Sequence, residues 1–135
     1  MKIFFDNCTS PVLARTLNGF LENRVGSAHH ARDLGLHKAK DVEWMDYLAK
    51  TGDHWLVITG DGRIGKNKLE QLAFRKAKLR GIVLARAYQK TQVCRQAGLI
   101  VANWDDLTKT INRLEPPFLF EMSINLNARF KQLSF

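Results

Sequence analysis

Trp55-Leu56-Val57-Ile58-Thr59 is an apolar run with no polar interruption before Thr59, set between Gly52 and Gly60. Such a run reads as a strand buried on both faces, which occurs in parallel sheets with helices on both sides. Two further segments have the same character, Lys2 to Phe5 and Gly81 to Ala85, and helical patterns separate them. After Ser10-Pro11, a serine N-cap followed by a first-turn proline, the residues Val12, Leu13, Leu17, Phe20 and Leu21 recur at helical spacing and mark one buried face. A weak strand over Ala28 to Ala31 and a turn at Gly35-Leu36 precede a helix from about Lys38 to Lys50 that Gly52 ends. A basic helix is expected from Lys66 to about Leu79, and more helix from Thr91 to Leu114 with a break near Asn103. Pro116-Pro117 stops that pattern before Phe118 to Ile124, an expected edge strand. Strand and helix alternate, so the expected fold is a three-layer α/β/α domain with a mainly parallel central sheet. With 135 residues, no repeat and no linker-like tract, residues 1–135 read as one domain, with a C-terminal β element over 116–135.

Charge narrows the function classes. Lys and Arg number 21 against 13 Asp and Glu, a formal net charge of +8, which favours a polyanionic partner. The same surplus also suits solvated helix faces, so charge supports a nucleic-acid partner without establishing one. Cys8 and Cys94 have no zinc-site spacing and are too few for a disulfide framework, so both are expected as free thiols in a reducing compartment. No stretch reads as a signal peptide or a membrane span, and the expectation is a cytoplasmic protein without a membrane partner.

In open parallel α/β sheets, ligands bind beyond the carboxyl ends of the strands. Asp6 ends the first strand, Asp61 follows the strand 55–59, and Asp41 falls in the first turn of the helix between them. Each acid alone fits ordinary cap or turn chemistry. Together they form a cluster that repels itself unless a divalent cation sits among them, and hard oxygen donors suit Mg2+ or Mn2+. Glu43 ranks below Asp41 as a ligand, because residues two apart on a helix point about 200° apart. Asn7 and Thr59 are candidates for orienting the ion or its water.

Ile3-Phe4-Phe5-Asp6-Asn7, His30 to Leu36 with Asp41-Val42-Glu43, and Val57-Ile58-Thr59-Gly60-Asp61 together resemble the PIN-like superfamily, in particular its toxin–antitoxin ribonuclease branch. The likeness covers roughly the first two thirds of the chain. It implies a metal-dependent endoribonuclease that hydrolyses RNA phosphodiester bonds, with Asp6, Asp41 and Asp61 as catalytic and metal-binding residues. It also implies a cognate antitoxin as partner, and leaves a homodimer open. Many relatives carry a further Asp two residues after the Thr-x-Asp acid, where this chain has Arg63. That departure keeps a catalytically weak or inactive nucleic-acid- or protein-binding module as the alternative.

The loop Gly60-Asp61-Gly62-Arg63-Ile64-Gly65-Lys66 formally matches two phosphate-binding fingerprints. A Walker loop needs Ser or Thr at position 67, where Asn67 stands, and a dinucleotide fold needs an acid about 20 residues on, where Gly81 to Leu84 offers none. A P-loop-like nucleotide-binding protein is therefore the least favoured reading. His29-His30 lacks a third ligand at metal spacing, which leaves His30 as an RNA contact if it has a functional role. Lys66, Lys68 and Arg75 head a basic helix beside the acids and are the expected phosphate contacts.

Overall fold

The computed structural model describes residues 1–64 and 66–135. In chain order it contains β1 (Lys2–Phe5), α1 (Pro11–Leu21), β2 (Ser27–His30), α2 (Asp41–Lys50), β3 (Trp55–Thr59), α3 (Lys68–Lys76), β4 (Arg80–Leu84), α4 (Val93–Ala102), α5 (Trp104–Ile111), β5 (Phe118–Met122) and β6 (Phe130–Gln132). The strands form one sheet in the order β2-β1-β3-β4-β5-β6. All neighbours run parallel except β5 and β6. Among the described residues no helix is long and apolar enough to cross a membrane.

Alternation along the strands sorts the core into two faces. Ile3, Phe5, Leu56, Ile58, Ile82 and Leu84 pack against α1, α4 and α5. Phe4, Trp55, Val57, Val83 and Leu119 pack against α2 and α3. This is the three-layer α/β/α arrangement, and all five residues of β3 are buried at its centre, as the unbroken apolar run requires. Gly81 is dictated by packing: a Cβ there would lie 2.5 Å from Leu119 Cδ1 and 2.8 Å from Phe74 Cζ.

Local signals place the helices. Ser10 Oγ accepts the Val12 N–H at 3.2 Å with Pro11 just inside α1. Asn67 Oδ1 accepts the N–H groups of Leu69 and Glu70 at the start of α3. The expected break near Asn103 is the junction of α4 and α5, where the Asn103 amide donates to Leu99 O and Asn125 O.

Two expectations are corrected. Residues 118–122 form an interior strand paired with both β4 and β6, and β6 is the edge. The basic helix begins at Lys68 rather than Lys66, because Asn67 caps it. Within it Leu69 and Leu72 are 72% and 64% exposed, and Phe74 carries the contact with the sheet.

Candidate active site

β1 and β3 are parallel neighbours, so the residues following them emerge side by side at the carboxyl edge of the sheet. Asp6 follows β1 and is 1% exposed. Thr59, the last residue of β3 and fully buried, joins it to Asp61. The Thr59 hydroxyl donates to Asp6 Oδ2, and its oxygen accepts the Asp61 backbone N–H at 3.0 Å. Asp6 Oδ1 is buried with no hydrogen-bond partner. Burial pushes the Asp6 carboxyl up to about 7; the charges of Asp41 and Asp61 add to this, while the Thr59 hydrogen bond opposes it.

Asp61 has a different environment. Arg63 Nε lies 3.0 and 2.8 Å from its two carboxylate oxygens, Arg63 donates a further bond to Oδ2 at 2.7 Å, and the Arg63 backbone N–H reaches Oδ1 at 2.9 Å. Burial acts to raise the Asp61 pKa, but its bonds to Arg63 and the Arg63 charge outweigh that and hold it below the usual carboxylate range. Cys8 sits over the same group, its thiol 3.9 Å from Asp61 Oδ2. Burial and the surrounding carboxylates push that thiol up to about 11, so it stays protonated.

Asp41 opens α2 and accepts the Trp44 indole N–H at 2.9 Å. Opposite it, in the first turn of α3, stands Glu70, an acid the sequence reading did not single out. One Glu70 oxygen, Oε2, is buried without a partner. Burial, the Asp41 charge and a side-chain hydrogen bond with Asp41 raise the Glu70 pKa. The signal was present in the sequence: Asn67 followed three residues later by Glu70 is a helix-start pattern, which sets the glutamate at the ligand edge of a parallel sheet.

The other expected residues divide. Glu43 is exposed and lines, with Asp41, Arg63 and Glu70, a shallow depression of about 590 Å³. Asn7 donates its amide to Leu36 O at 2.9 Å and thereby ties down the loop after β2. Lys66 and Lys68 are exposed at the start of α3. His30 is corrected as an RNA contact: it is 2% exposed, Nε2 lies 2.8 Å from Thr9 O, and Nδ1 accepts the Arg32 N–H. Both ring nitrogens serve the fold. Arg75 is likewise separated from the lysines. It lies seven residues beyond Lys68, roughly 10 Å along the helix axis. There its guanidinium sits 5.0 Å from the Phe135 ring centroid. The loop after β3 is no phosphate cradle, because the Arg63 N–H goes to Asp61 and those of Lys66 and Asn67 go to Arg63 O. Gly65 of that motif lies outside the described residues.

A divalent cation suits the donor chemistry of this site. The acids offer hard carboxylate oxygens, two of which, Asp6 Oδ1 and Glu70 Oε2, are buried and orphaned. The side chains are not drawn together as they stand: among the described residues no three acids, histidines or cysteines are grouped to hold an ion. The Arg63 guanidinium occupies Asp61 instead.

Fold and site define an acid-centred, three-layer α/β protein of a nuclease-like or nucleic-acid-binding kind. More particularly, the chain belongs to the PIN-like domain family, whose description as a PIN like domain matches residues 1–86, from β1 to just beyond β4. No curated protein and no solved structure matches the chain.

Proposed function

We propose that this protein is a Mg2+- or Mn2+-dependent endoribonuclease, the toxin of a toxin–antitoxin pair. The observation that carries this reading is Asp6: a fully buried carboxylate with one oxygen orphaned, within the electrostatic reach of Asp41 and Asp61 at the ligand edge of a parallel sheet. A buried acid among acids is costly to the fold, and a bound cation would offset that cost. Asp6, Asp41 and Asp61 would hold the ion, with Glu70 beside them. A bound ion of this kind lowers the pKa of a water and neutralises charge developing on the attacked phosphate.

This chain's own residues do the positioning. Thr59 fixes the Asp6 rotamer through its hydroxyl and ties the backbone of Asp61 to the same point. Trp44 fixes Asp41. Arg63, with three quarters of its side chain exposed, can leave Asp61 for a substrate phosphate, to which its planar fork is matched. Lys66 and Lys68 then hold the neighbouring backbone. Because water is the nucleophile, the chemistry does not require the ribose 2′-OH, and the choice of RNA rests on the family resemblance.

One observation favours a second reading. Both Asp61 oxygens are bonded to Arg63, which suits a module that binds nucleic acid without cutting it. Incubating labelled single-stranded RNA with the protein in Mg2+, in Mn2+ and in EDTA decides between them. Cleavage that needs the divalent ion supports the nuclease. Binding to RNA with no cleavage in either metal leaves the second reading. Relief of growth arrest by the product of an adjacent reading frame tests the toxin assignment.

A further inference from the structure

A second cavity, of about 430 Å³, opens beside Asp61 and is lined by the loop after β3, the ends of β4 and β5, and the C-terminal residues. Its size is that of a small-ligand site. Its walls are apolar at Val83, Leu84 and Leu133; Lys66 and Arg86 bring two positive charges to it, and Arg63 a third that is bonded to Asp61, which also lines the cavity. That much describes a groove for a phosphate-bearing chain.

Glu121 does not fit such a groove. It lies within β5 between the buried Phe120 and Met122, and it lines the cavity. Glutamate is a poor strand former, and a carboxylate in a phosphate channel repels the ligand. It is also half-buried, and among the described residues it makes no side-chain hydrogen bond or ion pair, either with the three cations or with Lys131, its register partner on β6. A half-buried, unpaired carboxylate is an acceptor waiting for donors.

The chemistry that meets all three features is a nucleotide whose base presents two adjacent N–H donors. Guanine alone among the common bases has this, at N1–H and the N2 amino group, matched to the two oxygens of a carboxylate. Adenine and cytosine set one amino group beside a ring acceptor, and uracil sets its N–H between carbonyls. The register supplies the spacing. Glu121 pairs with Val83 and Val83 with Thr59, so Glu121 stands two strands, roughly 10 Å, from the residue that positions Asp61. A base seated at Glu121 leaves its phosphate beside Arg63 and Lys66.

We propose that this cavity is a guanine-selective nucleotide subsite, in which Glu121 accepts the N1–H and N2–H donors while Arg63 and Lys66 hold the phosphate. The inference rests on the nuclease reading for its purpose, since it places a guanosine next to the bond to be cut. Glu121, Gln89, Leu133 and Ser134 lie outside the family-matched residues 1–86, so the family match does not itself assign this subsite.

The test is binding of 5′-GMP, 5′-IMP, 5′-AMP, 5′-CMP and 5′-UMP to the full chain in EDTA, by calorimetry or chemical-shift titration. GMP is expected to bind roughly tenfold or more tighter than AMP, CMP and UMP, the discrimination of one bidentate pair. IMP, which lacks the N2 amino group, falls between. Glu121→Gln replaces one acceptor by a donor and should bring GMP down to the AMP level with an unchanged melting temperature. Equal binding of the five nucleotides, no GMP binding at millimolar concentration, or a preference that survives in Glu121→Gln overturns the proposal. IMP reads the same contact in the unmodified protein, so the test does not depend on the variant folding. Metal-dependent RNA cleavage with no base preference sinks this inference alone, whereas guanine-selective binding without cleavage sinks the nuclease reading alone.

Discussion

Replacing Thr59 by valine keeps the shape of a fully buried side chain and removes one oxygen. That oxygen has two partners, so the substitution disturbs two groups at once: the Asp6 carboxyl loses the Thr59 donor and keeps only a backbone hydrogen bond from Cys8, and the Asp61 N–H loses its acceptor. Asp6 Oδ1 already lacks a partner, so its carboxyl would be left with no side-chain donor at all. A buried group deprived of its partner costs about 1–3 kcal/mol, and two of them, sharing one site and partly relaxing together, should cost about 2–4 kcal/mol. For a chain of this length that is a fall in melting temperature of roughly 10 °C. Thr59→Ser keeps the hydroxyl and loses one buried methyl, so it should cost only about 1 kcal/mol. Urea denaturation of both variants in EDTA measures the difference without a metal contribution. Cleavage should follow the hydroxyl rather than stability, with Ser retaining activity and Val losing it. A valine variant within about 0.5 kcal/mol of the parent, or a serine variant as damaged as valine, would refute the bridging role.

Other positions separate the same ideas. Lys66→Ala with Lys68→Ala should flatten the dependence of log K on log salt by about 0.7 for each phosphate that the pair neutralises, while Arg75→Ala, stacked on Phe135 away from the acids, should leave the slope unchanged in a filter-binding series. A single tightly held ion is expected in the unmodified protein. Arg63→Asp should gain affinity for a second Mn2+ yet bind RNA less well, and calorimetry showing two equivalent ions in the parent would contradict this. Gly81→Ala should lower stability by about 1–3 kcal/mol through overpacking against Leu119 and Phe74, both fully buried; an unchanged denaturation midpoint would mean that those side chains move aside.

The layered sheet was legible because its signals are local and redundant. An unbroken apolar run names β3, a serine and a proline name the start of α1, and Asn103 interrupts an otherwise helical stretch where α4 meets α5. The line joining Asp6, Thr59 and Asp61 was legible too, since each acid follows a strand of the same parallel pair. What failed depends on packing between distant segments. Glu70 becomes a neighbour of Asp41 only because α2 and α3 lie together. His30 turns inward because the carbonyl of Thr9, 21 residues earlier, is there to meet its ring. Phe118 to Met122 looked like an edge strand because nothing local announces β6, a three-residue strand of mixed composition. Arg75 looked like part of one basic face, but a helix leaving the ligand edge of a sheet carries its last turn to the opposite edge.

The most direct test of the metal-dependent nuclease is Asp6→Asn, assayed for cleavage of single-stranded RNA in Mg2+ beside the parent protein. Asparagine keeps the size of the side chain and an oxygen for the Thr59 hydroxyl, and it removes a buried charge, so the variant should melt at or above the temperature of the parent in EDTA. Cleavage should be abolished and the stabilisation that Mg2+ gives the parent should disappear. A folded Asp6→Asn protein that cleaves RNA at the parent rate would contradict the account at its centre.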